Sequence, residues 1–241
     1  MRLEVYQTAG EAFEAAAALV AGRLREAARP AVALAGGRGG RGVMLALAAC
    51  ADVPWERVEW YWGDERCVPP GDPQSNVRVA RESLLGPRGI ADERIHPPPL
   101  DLGDPARIAS AYGATLVALL GPTPIFDVLL LGVGKNGHIA SLMPGCAALA
   151  ATAPVATVGR DEVSEEPRVA RVTITPPVIA AARHVVVTVA GEEKAAPVAA
   201  ALRDPSDPAR VPAQLVRPSE RITWIVDRAA ASSLLRDARP A

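Results

Sequence analysis

The chain has 241 residues, of which 49% are hydrophobic and 22% are charged, which is typical of a globular protein with a sizeable core. A formal net charge of −1 and an aromatic content of 4% argue against nucleic-acid binding, which uses basic patches and stacking side chains. The sequence has no signal-peptide pattern and no apolar run of the ~20 residues that span a bilayer, and its three cysteines are scattered. We therefore expect a cytoplasmic protein that binds neither membranes nor nucleic acids.

The predicted elements alternate between helices and short apolar strands. Thr8 and Glu11 have the spacing of a capping box before the first helix, and Asp104 with Pro105 marks the start of the fourth. The predicted helices cover residues 10–28, 43–50, 75–85 and 105–120, a short segment from 176, a segment ending at 202 and a segment after 227. The predicted strands cover residues 31–35, 58–62, 127–131, 171–175, 184–190 and 222–226.

Short apolar strands that alternate with helices are typical of a parallel sheet covered on both faces. The predicted fold class is therefore α/β with three layers: a mostly parallel twisted sheet with helices on both faces, in a Rossmann-like arrangement. No internal repeat or low-complexity linker interrupts the pattern, so we expect a single domain over residues 1–241. The first predicted strand begins near residue 31, which leaves no room for a DNA-binding segment before it.

Four predicted strands end in glycine and lead into polar or charged loops. These loops read GGRGGRG from Gly36, GDERC from Gly63, GVGKNGH from Gly132 and GEEK from Gly191. The carboxyl ends of parallel strands share one edge of a sheet, and ligands bind at that edge in open α/β folds. Six side chains should therefore converge there: Arg38, Asp64, Arg66, Asn136, His138 and Lys194.

The first of these loops has the composition of a phosphate-binding turn. Gly36, Gly37 and Gly39 allow a ligand close to the backbone, and the N–H groups of the following helix turn favour an anion. The alternative is a flexible turn without a ligand. A Gly-x-Gly-x-x-Gly match also occurs at 132–137, but no clear strand ending in an acid follows at about 20 residues, so we expect no dinucleotide cofactor.

His138 is the candidate general base among the three histidines. It follows a glycine loop at the predicted binding edge, and imidazole is a natural base near neutral pH. The alternative is that His138 only caps the next turn. We expect His96, before a proline run, to lie at the surface and His184, at the start of a strand, to be structural. Ser141 lacks the G-x-S-x-G context of a nucleophile, and the scattered histidines and acids predict no metal site.

Several segments resemble a known family. Trp62 to Asn76 reads WGDERCVPPGDPQSN and Leu131 to Gly145 reads LGVGKNGHIASLMPG, and both resemble the signatures of 6-phosphogluconolactonases. RVTITPPVI, GEEKAA and TWIVDRAA resemble the remaining blocks of that family in the same order. The resemblance implies the fold that this family shares with glucosamine-6-phosphate deaminases and ribose-5-phosphate isomerases. It also implies hydrolysis of 6-phospho-D-glucono-1,5-lactone to 6-phospho-D-gluconate in the oxidative pentose phosphate pathway.

The same resemblance implies roles for individual residues. His138 matches the general base of the family, and Arg66 matches an arginine that contacts the substrate. Arg171 and Lys194 match positions that hold the sugar phosphate in related enzymes. Asp64 falls where the deaminases keep an acid at the reacting end.

The chain departs from the family pattern at two positions. The usual glycine loop continues with Ser-Thr-Pro, whereas Arg38 and two glycines stand here, so a charged side chain replaces the hydroxyl contacts. The usual aspartate two residues before the histidine is Asn136, which accepts a hydrogen bond but carries no charge. We therefore place Asn136 in the catalytic group beside His138 and expect a rate or substrate preference that differs from the family norm.

Other functions stay open at this point. A sugar-phosphate isomerase or a deaminase that releases ammonia from an amino sugar phosphate would have the same fold. A non-catalytic protein would only bind a sugar phosphate, and a diverged relative would act on an unusual lactone. The expected partner is a small phosphosugar lactone, with no metal or other cofactor, and the expected state is a monomer or a weak homodimer.

Overall fold

Six parallel strands form the central sheet of the computed structural model, which describes residues 2–236. Within these residues the strands are β1 (Arg2–Tyr6), β2 (Ala31–Leu34), β3 (Glu59–Trp62), β4 (Asp64–Arg66), β5 (Val128–Leu131), β6 (Val155–Val158), β7 (Arg171–Ile174), β8 (His184–Val189) and β9 (Ile222–Asp227). The α-helices are α1 (Ala9–Glu26), α2 (Gly37–Ala48), α3 (Asn76–Ala80), α4 (Pro105–Leu120), α5 (Pro176–Ala181), α6 (Ala195–Arg203) and α7 (Ser232–Arg236). None of the helices in this part of the chain combines the length and the apolar character needed to cross a membrane.

The central sheet has the strand order β1-β9-β8-β5-β2-β3, and every neighbouring pair is parallel. Successive residues of a strand point to opposite faces, so the apolar strands supply two separate cores. Leu34 of β2 belongs to the core that includes α1 and α2, whereas Ala33 belongs to the core that includes α4 and α6. The three-layer α/β fold predicted from the alternation of elements is confirmed.

A smaller sheet has the order β4-β7-β6, and its pairs are antiparallel. Gly63 joins β3 of the large sheet to β4 of the small sheet and hydrogen-bonds with both. Its N–H donates to the carbonyl of Leu34 in β2 at 2.9 Å, and its carbonyl accepts from the N–H of Ile174 in β7 at 2.8 Å. The chain therefore passes from one sheet to the other within a single residue.

The sequence predicts no strand at β1, β4 or β6, and the structure has one at each place. Because β1 is an edge strand with mostly exposed side chains and β4 consists of Asp64–Arg66, neither carries a continuous apolar run. Residues 171–174, predicted for the parallel sheet, form β7 of the antiparallel sheet. The first strand is therefore β1 rather than the strand near residue 31, and its pairing with β9 makes the N-terminal segment part of the α/β fold.

Helix α2 begins earlier than predicted. The sequence predicts a loop over residues 36–42, whereas α2 already starts at Gly37. A Cβ on Gly39 would lie 2.9 Å from the carbonyl oxygen of Thr188, and a Cβ on Gly40 would lie 2.1 Å from that of Ala35. These glycines therefore let α2 pack closely on β8 and on the end of β2.

The predicted starts of two helices are confirmed. Before α1, Thr8 Oγ1 accepts from the N–H of Glu11 at 3.2 Å, and Glu11 Oε2 accepts from the N–H of Thr8 at 3.0 Å. Before α4, Asp104 Oδ1 accepts from the N–H of Arg107 at 2.8 Å. These side chains satisfy N–H groups that have no partner inside the helix.

Candidate active site

A pocket with a volume of about 310 Å³ lies at the carboxyl ends of the central strands. All predicted site residues except Asn136 line it: Gly36, Gly37, Arg38, Gly39, Asp64, Arg66, His138, Arg171 and Lys194. Asn136 lies behind this lining and hydrogen-bonds to His138. The convergence predicted from the glycine-ended strands is therefore found in the structure.

The start of α2 forms one wall of the pocket. Gly36 precedes the helix and no side chain caps its first N–H groups, while Gly37 has a φ of +70°, a conformation that favours glycine. A Cβ on Gly36 would lie 1.9 Å from Oδ1 of Asn76, so the backbone and this amide are in direct contact. A helix start without a side-chain cap offers its N–H groups to an anion.

Arg38, expected to replace hydroxyl contacts, is held by other protein groups. Its Nη2 donates to the carbonyl of Ala190 at 2.7 Å and forms an ion pair with Glu193. The side chain is 60% exposed, so Arg38 forms part of the rim of the pocket. A direct contact between Arg38 and a substrate stays a prediction.

Asn136 orients the ring of His138. Asn136 Oδ1 accepts from the backbone N–H of His138 at 3.1 Å and lies 2.7 Å from Nδ1 of the ring. Because a carbonyl oxygen can only accept, Nδ1 carries the proton, and the lone pair of the neutral ring is on Nε2. The ring lies over Gly134, where a Cβ would come within 2.0 Å of Nδ1. Any side chain at position 134 would therefore displace the imidazole.

Burial keeps the His138 ring neutral. Desolvation lowers the pKa of His138 to about 4, although the nearby carboxylates of Glu165 and Asp64 act in the opposite direction. The cations of Arg171 and Lys194 lower this pKa further. At neutral pH the imidazole is therefore a base with an available lone pair.

A buried hydroxyl links an acid to a cation on the floor of the pocket. Ser141 is completely buried, and its Oγ donates to Asp64 Oδ2 at 2.6 Å. Arg171 Nη1 approaches the same Oγ at 3.5 Å. Because its hydroxyl is engaged in this network, Ser141 positions Asp64 and Arg171 and is not placed as a nucleophile.

Arg66 and Arg171 stand opposite each other in the register of β4 and β7. Arg66 Nη1 donates to the carbonyl of Gln74 at 2.6 Å, and Arg171 Nη2 donates to that of Pro167 at 3.1 Å. The Nε of each arginine is buried and has no hydrogen-bond partner among the described residues. Burial lowers the pKa of Arg171, because a charged guanidinium is less stable away from water. A buried and a half-buried cation, each with a spare Nε donor, favour an anionic ligand.

Lys194 supplies a third positive group from another part of the fold. It ends the 3-10 turn Glu192–Lys194, which begins directly after the loop glycine that follows β8. Burial lowers the pKa of Lys194, while Glu165 and Glu193 act to raise it. The pocket therefore combines cations from both sheets with an imidazole from the loop after β5.

The sequence does not predict a role in the site for Glu165 or Asn76. Glu165 Oε1 lies 3.8 Å from His138 Nδ1, and Asn76 Nδ2 donates to the carbonyl of Asp64 at 3.0 Å. Asn76 ends the first family-like segment, which is a usable signal for its importance. Glu165 lies in an irregular segment between β6 and β7, where no local pattern indicates its neighbour.

The other two histidines lie outside the pocket. The expectation that His96 lies at the surface is wrong: its side chain is 18% exposed, stacks on Tyr61 and lies 2.7 Å from Glu59 Oε2. Glu59 is buried at the start of β3, and the His96 side chain points inward because it contacts this carboxylate. His184 begins β8 at its amino end, in agreement with a structural role. Within residues 2–236 no group of three or more His, Cys, Asp or Glu side chains is arranged to hold a metal ion.

Known protein families and curated proteins match this chain over most of its length. A family model described as glucosamine-6-phosphate isomerases/6-phosphogluconolactonase matches residues 5–224. The 6-phosphogluconolactonase of Streptomyces coelicolor is 39% identical over 221 residues, which cover 87% of this chain and 84% of the relative. The 6-phosphogluconolactonase of a Synechocystis species is 36% identical over 215 residues, covering 88% and 87%.

Solved structures match the fold. The 6-phosphogluconolactonase of Trypanosoma brucei has a TM-score of 0.84 at 29% identity, covering 97% of this chain and 98% of that chain. A monomeric glucosamine-6-phosphate deaminase has a TM-score of 0.83 at 22% identity, covering 97% and 100%, and shows a shared fold. The resemblance and the fold class expected from the sequence are confirmed by these matches.

Proposed function

Since the chain belongs to the family of glucosamine-6-phosphate isomerases and 6-phosphogluconolactonases, we propose that it hydrolyses 6-phospho-D-glucono-1,5-lactone to 6-phospho-D-gluconate. The reaction would belong to the oxidative pentose phosphate pathway and take place in the cytoplasm. The observation that carries the proposal is a neutral imidazole, with its lone pair on Nε2, in the same pocket as the buried cation of Arg171 and the half-buried cations of Arg66 and Lys194.

The phosphate is bound by the cationic part of the pocket in this proposal. Lys194 and Arg171 carry the charge, and the N–H groups at the start of α2, from Gly37, add donors. Binding energy from the phosphate, which does not react, holds the lactone carbonyl near His138.

His138 then acts as general base and general acid in turn. Its Nε2 takes a proton from water as the water oxygen bonds to the carbonyl carbon of the lactone. Arg66 or backbone N–H groups stabilise the negative charge on the carbonyl oxygen. The bond from the carbonyl carbon to the ring oxygen breaks, and the ring oxygen takes the proton from Nε2. The new carboxylic acid loses its proton to solvent, so each turnover acidifies the solution.

The test is a pH-stat assay at pH 7 with freshly made lactone, from which the spontaneous rate is subtracted. We expect turnover by the wild-type chain and a loss of roughly 10²- to 10⁴-fold in kcat for His138→Ala. His184→Ala is the matched control, because this histidine lies at the amino end of β8. Near-normal turnover of His138→Ala contradicts the assigned base. Ammonia released from glucosamine 6-phosphate, without lactone turnover, identifies the deaminase alternative instead.

A further inference from the structure

The residue that hydrogen-bonds to the imidazole carries no charge. Asn136 Oδ1 lies 2.7 Å from His138 Nδ1 and fixes the ring, but an amide cannot stabilise the imidazolium by charge. The negative charge beside the imidazole must therefore come from elsewhere in this chain.

Glu165 lies where such a charge is needed. Its Oε1 is 3.8 Å from His138 Nδ1, on the side of the ring that faces Asn136. The same oxygen accepts the backbone N–H of Asn136 at 3.2 Å, and Asn136 Nδ2 donates to Oγ of Ser164 at 2.7 Å. Two consecutive residues, Ser164 and Glu165, thus hold Asn136 from both its backbone and its side chain. The Glu165 side chain is 26% exposed, so its carboxylate is partly shielded from water.

We propose that Glu165 supplies to His138 the negative charge that Asn136 lacks, so that orientation and charge compensation come from two different residues. This inference rests on the proposed function, because it assigns a partner to the proposed base. Glu165 acts through His138 and is a positioning residue with an electrostatic role. When Nε2 takes the proton from water, the positive charge on the ring is stabilised by the carboxylate 3.8 Å from Nδ1. The charge disappears again when the ring oxygen of the lactone takes that proton.

Other charged groups around His138 do not replace Glu165. The groups that act on its titration come from three directions: Glu165 from the segment between β6 and β7, Asp64 and Arg171 from the small sheet, and Lys194 from the turn after β8. Lys135, on the loop of His138 itself, and Arg66, Glu193 and Glu166 also line the pocket, and the Glu166 side chain is 85% exposed. Among the carboxylates, Asp64 already accepts a hydrogen bond from Ser141. Glu165 is thus the carboxylate beside Nδ1 itself.

The position of Glu165 has a second consequence for binding. Its carboxylate acts on Lys194 as well as on His138, because it opposes the lowering of the pKa of that lysine by burial. A carboxylate in an anion-binding pocket weakens phosphate binding through repulsion. Glu165 therefore favours turnover at the expense of affinity.

The experiment compares Glu165→Gln with a rescue variant and a control. Glu56→Gln is the control, since this side chain lies outside the pocket, is 77% exposed and has its carboxylate 3.8 Å from Arg57. The rescue variant combines Glu165→Gln with Asn136→Asp, which returns a carboxylate to Nδ1. Each protein is assayed with the lactone from pH 5 to 8. The His138 ring is titrated by NMR over a range that extends well below its pKa of about 4.

We expect kcat of Glu165→Gln to fall on the order of tenfold with an unchanged or lower KM, because a charge this close shifts a pKa by about one unit or more. Glu56→Gln should stay within about twofold of the wild-type chain, in keeping with the small effect of exposed charges. The double variant should recover kcat to within about threefold. In the NMR titration, the pKa of His138 should be lower in Glu165→Gln than in the wild-type chain and higher in the double variant.

The NMR titration separates this inference from the proposed function, because it needs no turnover. An unshifted His138 titration in Glu165→Gln overturns the inference even where kcat falls, since the loss then comes from the hydrogen bond to Asn136. A shifted titration and a rescued kcat support it. A wild-type chain without lactonase activity overturns the proposed function, while the shift in titration still decides whether Glu165 and His138 interact.

Discussion

The hydroxyl of Ser141 donates to the carboxylate of Asp64 at 2.6 Å, although 77 positions separate the two residues in the chain. The serine comes from the loop after β5, and the aspartate begins β4 of the small sheet. The bond therefore connects the part of the chain that carries His138 to the sheet that carries Arg171.

Replacing Ser141 by alanine should destabilise the protein by about 2 kcal/mol, because a hydrogen bond to a buried carboxylate is lost. The measurement is urea denaturation at pH 7, followed by circular dichroism. Ser206→Ala is the matched control, since Ser206 is exposed, and it should change the free energy of unfolding by less than about 0.5 kcal/mol. Equal stability of Ser141→Ala and the wild-type chain would show that this bond is dispensable.

The free energy of unfolding should decrease as the pH is lowered, because His138 takes up a proton when the chain unfolds. The ordinary pKa of histidine is 6.5, and burial lowers that of His138 to about 4, so between these values the unfolded state binds a proton that the folded state does not. This destabilisation is absent above pH 6.5 and grows as the pH falls towards 4. It amounts to about 2 kcal/mol between pH 7 and pH 5.

This pH dependence is measured by comparing His138→Gln with the wild-type chain. Urea denaturation at pH 7 and pH 5 gives the change in the free energy of unfolding for each protein. His138→Gln should lose about 2 kcal/mol less than the wild-type chain over this range. Parallel losses in both proteins would mean that His138 titrates alike in the folded and unfolded states.

Lys194→Gln should raise KM at least about tenfold with little change in kcat, because a charge-assisted contact to phosphate is lost in the ground state and the transition state alike. The control uses the substrate: with unphosphorylated glucono-1,5-lactone, Lys194→Gln and the wild-type chain should have similar kcat/KM. A loss confined to kcat, or an equal loss with both lactones, would place Lys194 at the reacting end.

Gly36→Ala should cost about 1 to 3 kcal/mol of stability, because its Cβ would lie 1.9 Å from Oδ1 of Asn76. Removal of that amide in the double variant Gly36→Ala/Asn76→Ala should make the total cost smaller than the sum of the single costs. Gly10→Ala is the control, since its Cβ would have no neighbour closer than 3.9 Å. Additive costs in the double variant would exclude this contact as the cause.

The pocket could be predicted from the sequence because its position follows from a general property of parallel sheets. His138, Lys194 and Arg38 each follow an apolar strand, and the ends of such strands meet at one edge. Only the family resemblance indicates Arg171, since this residue belongs to a strand of the antiparallel sheet and follows no strand of the parallel one. The enzyme class implied by that resemblance agrees with the names of the curated relatives.

The small sheet and Glu165 could not be predicted, for a common reason. β4 is charged and only three residues long, so its strand pairing depends on β7, which lies more than 100 positions later. Glu65 in β4 is completely buried, because Ser75 and the N–H groups of Asn76 and Val77 donate to its carboxylate. The pairing of β4 with β7 and the contacts of Glu165 with Asn136 and His138 join distant segments, and no hydrophobic period in either segment indicates them.

Gly63 donates a hydrogen bond to the large sheet and accepts one from the small sheet, so the two sheets meet at this residue. The small sheet carries Asp64, Arg66 and Arg171, whereas His138 and Lys194 lie on loops that follow strands of the large sheet. Ser141 joins the loop of His138 to the small sheet a second time, through its hydroxyl to Asp64 and its N–H to Thr173. The spacing between the base and the paired guanidinium groups is therefore fixed by bonds at two separate places, Gly63 and Ser141.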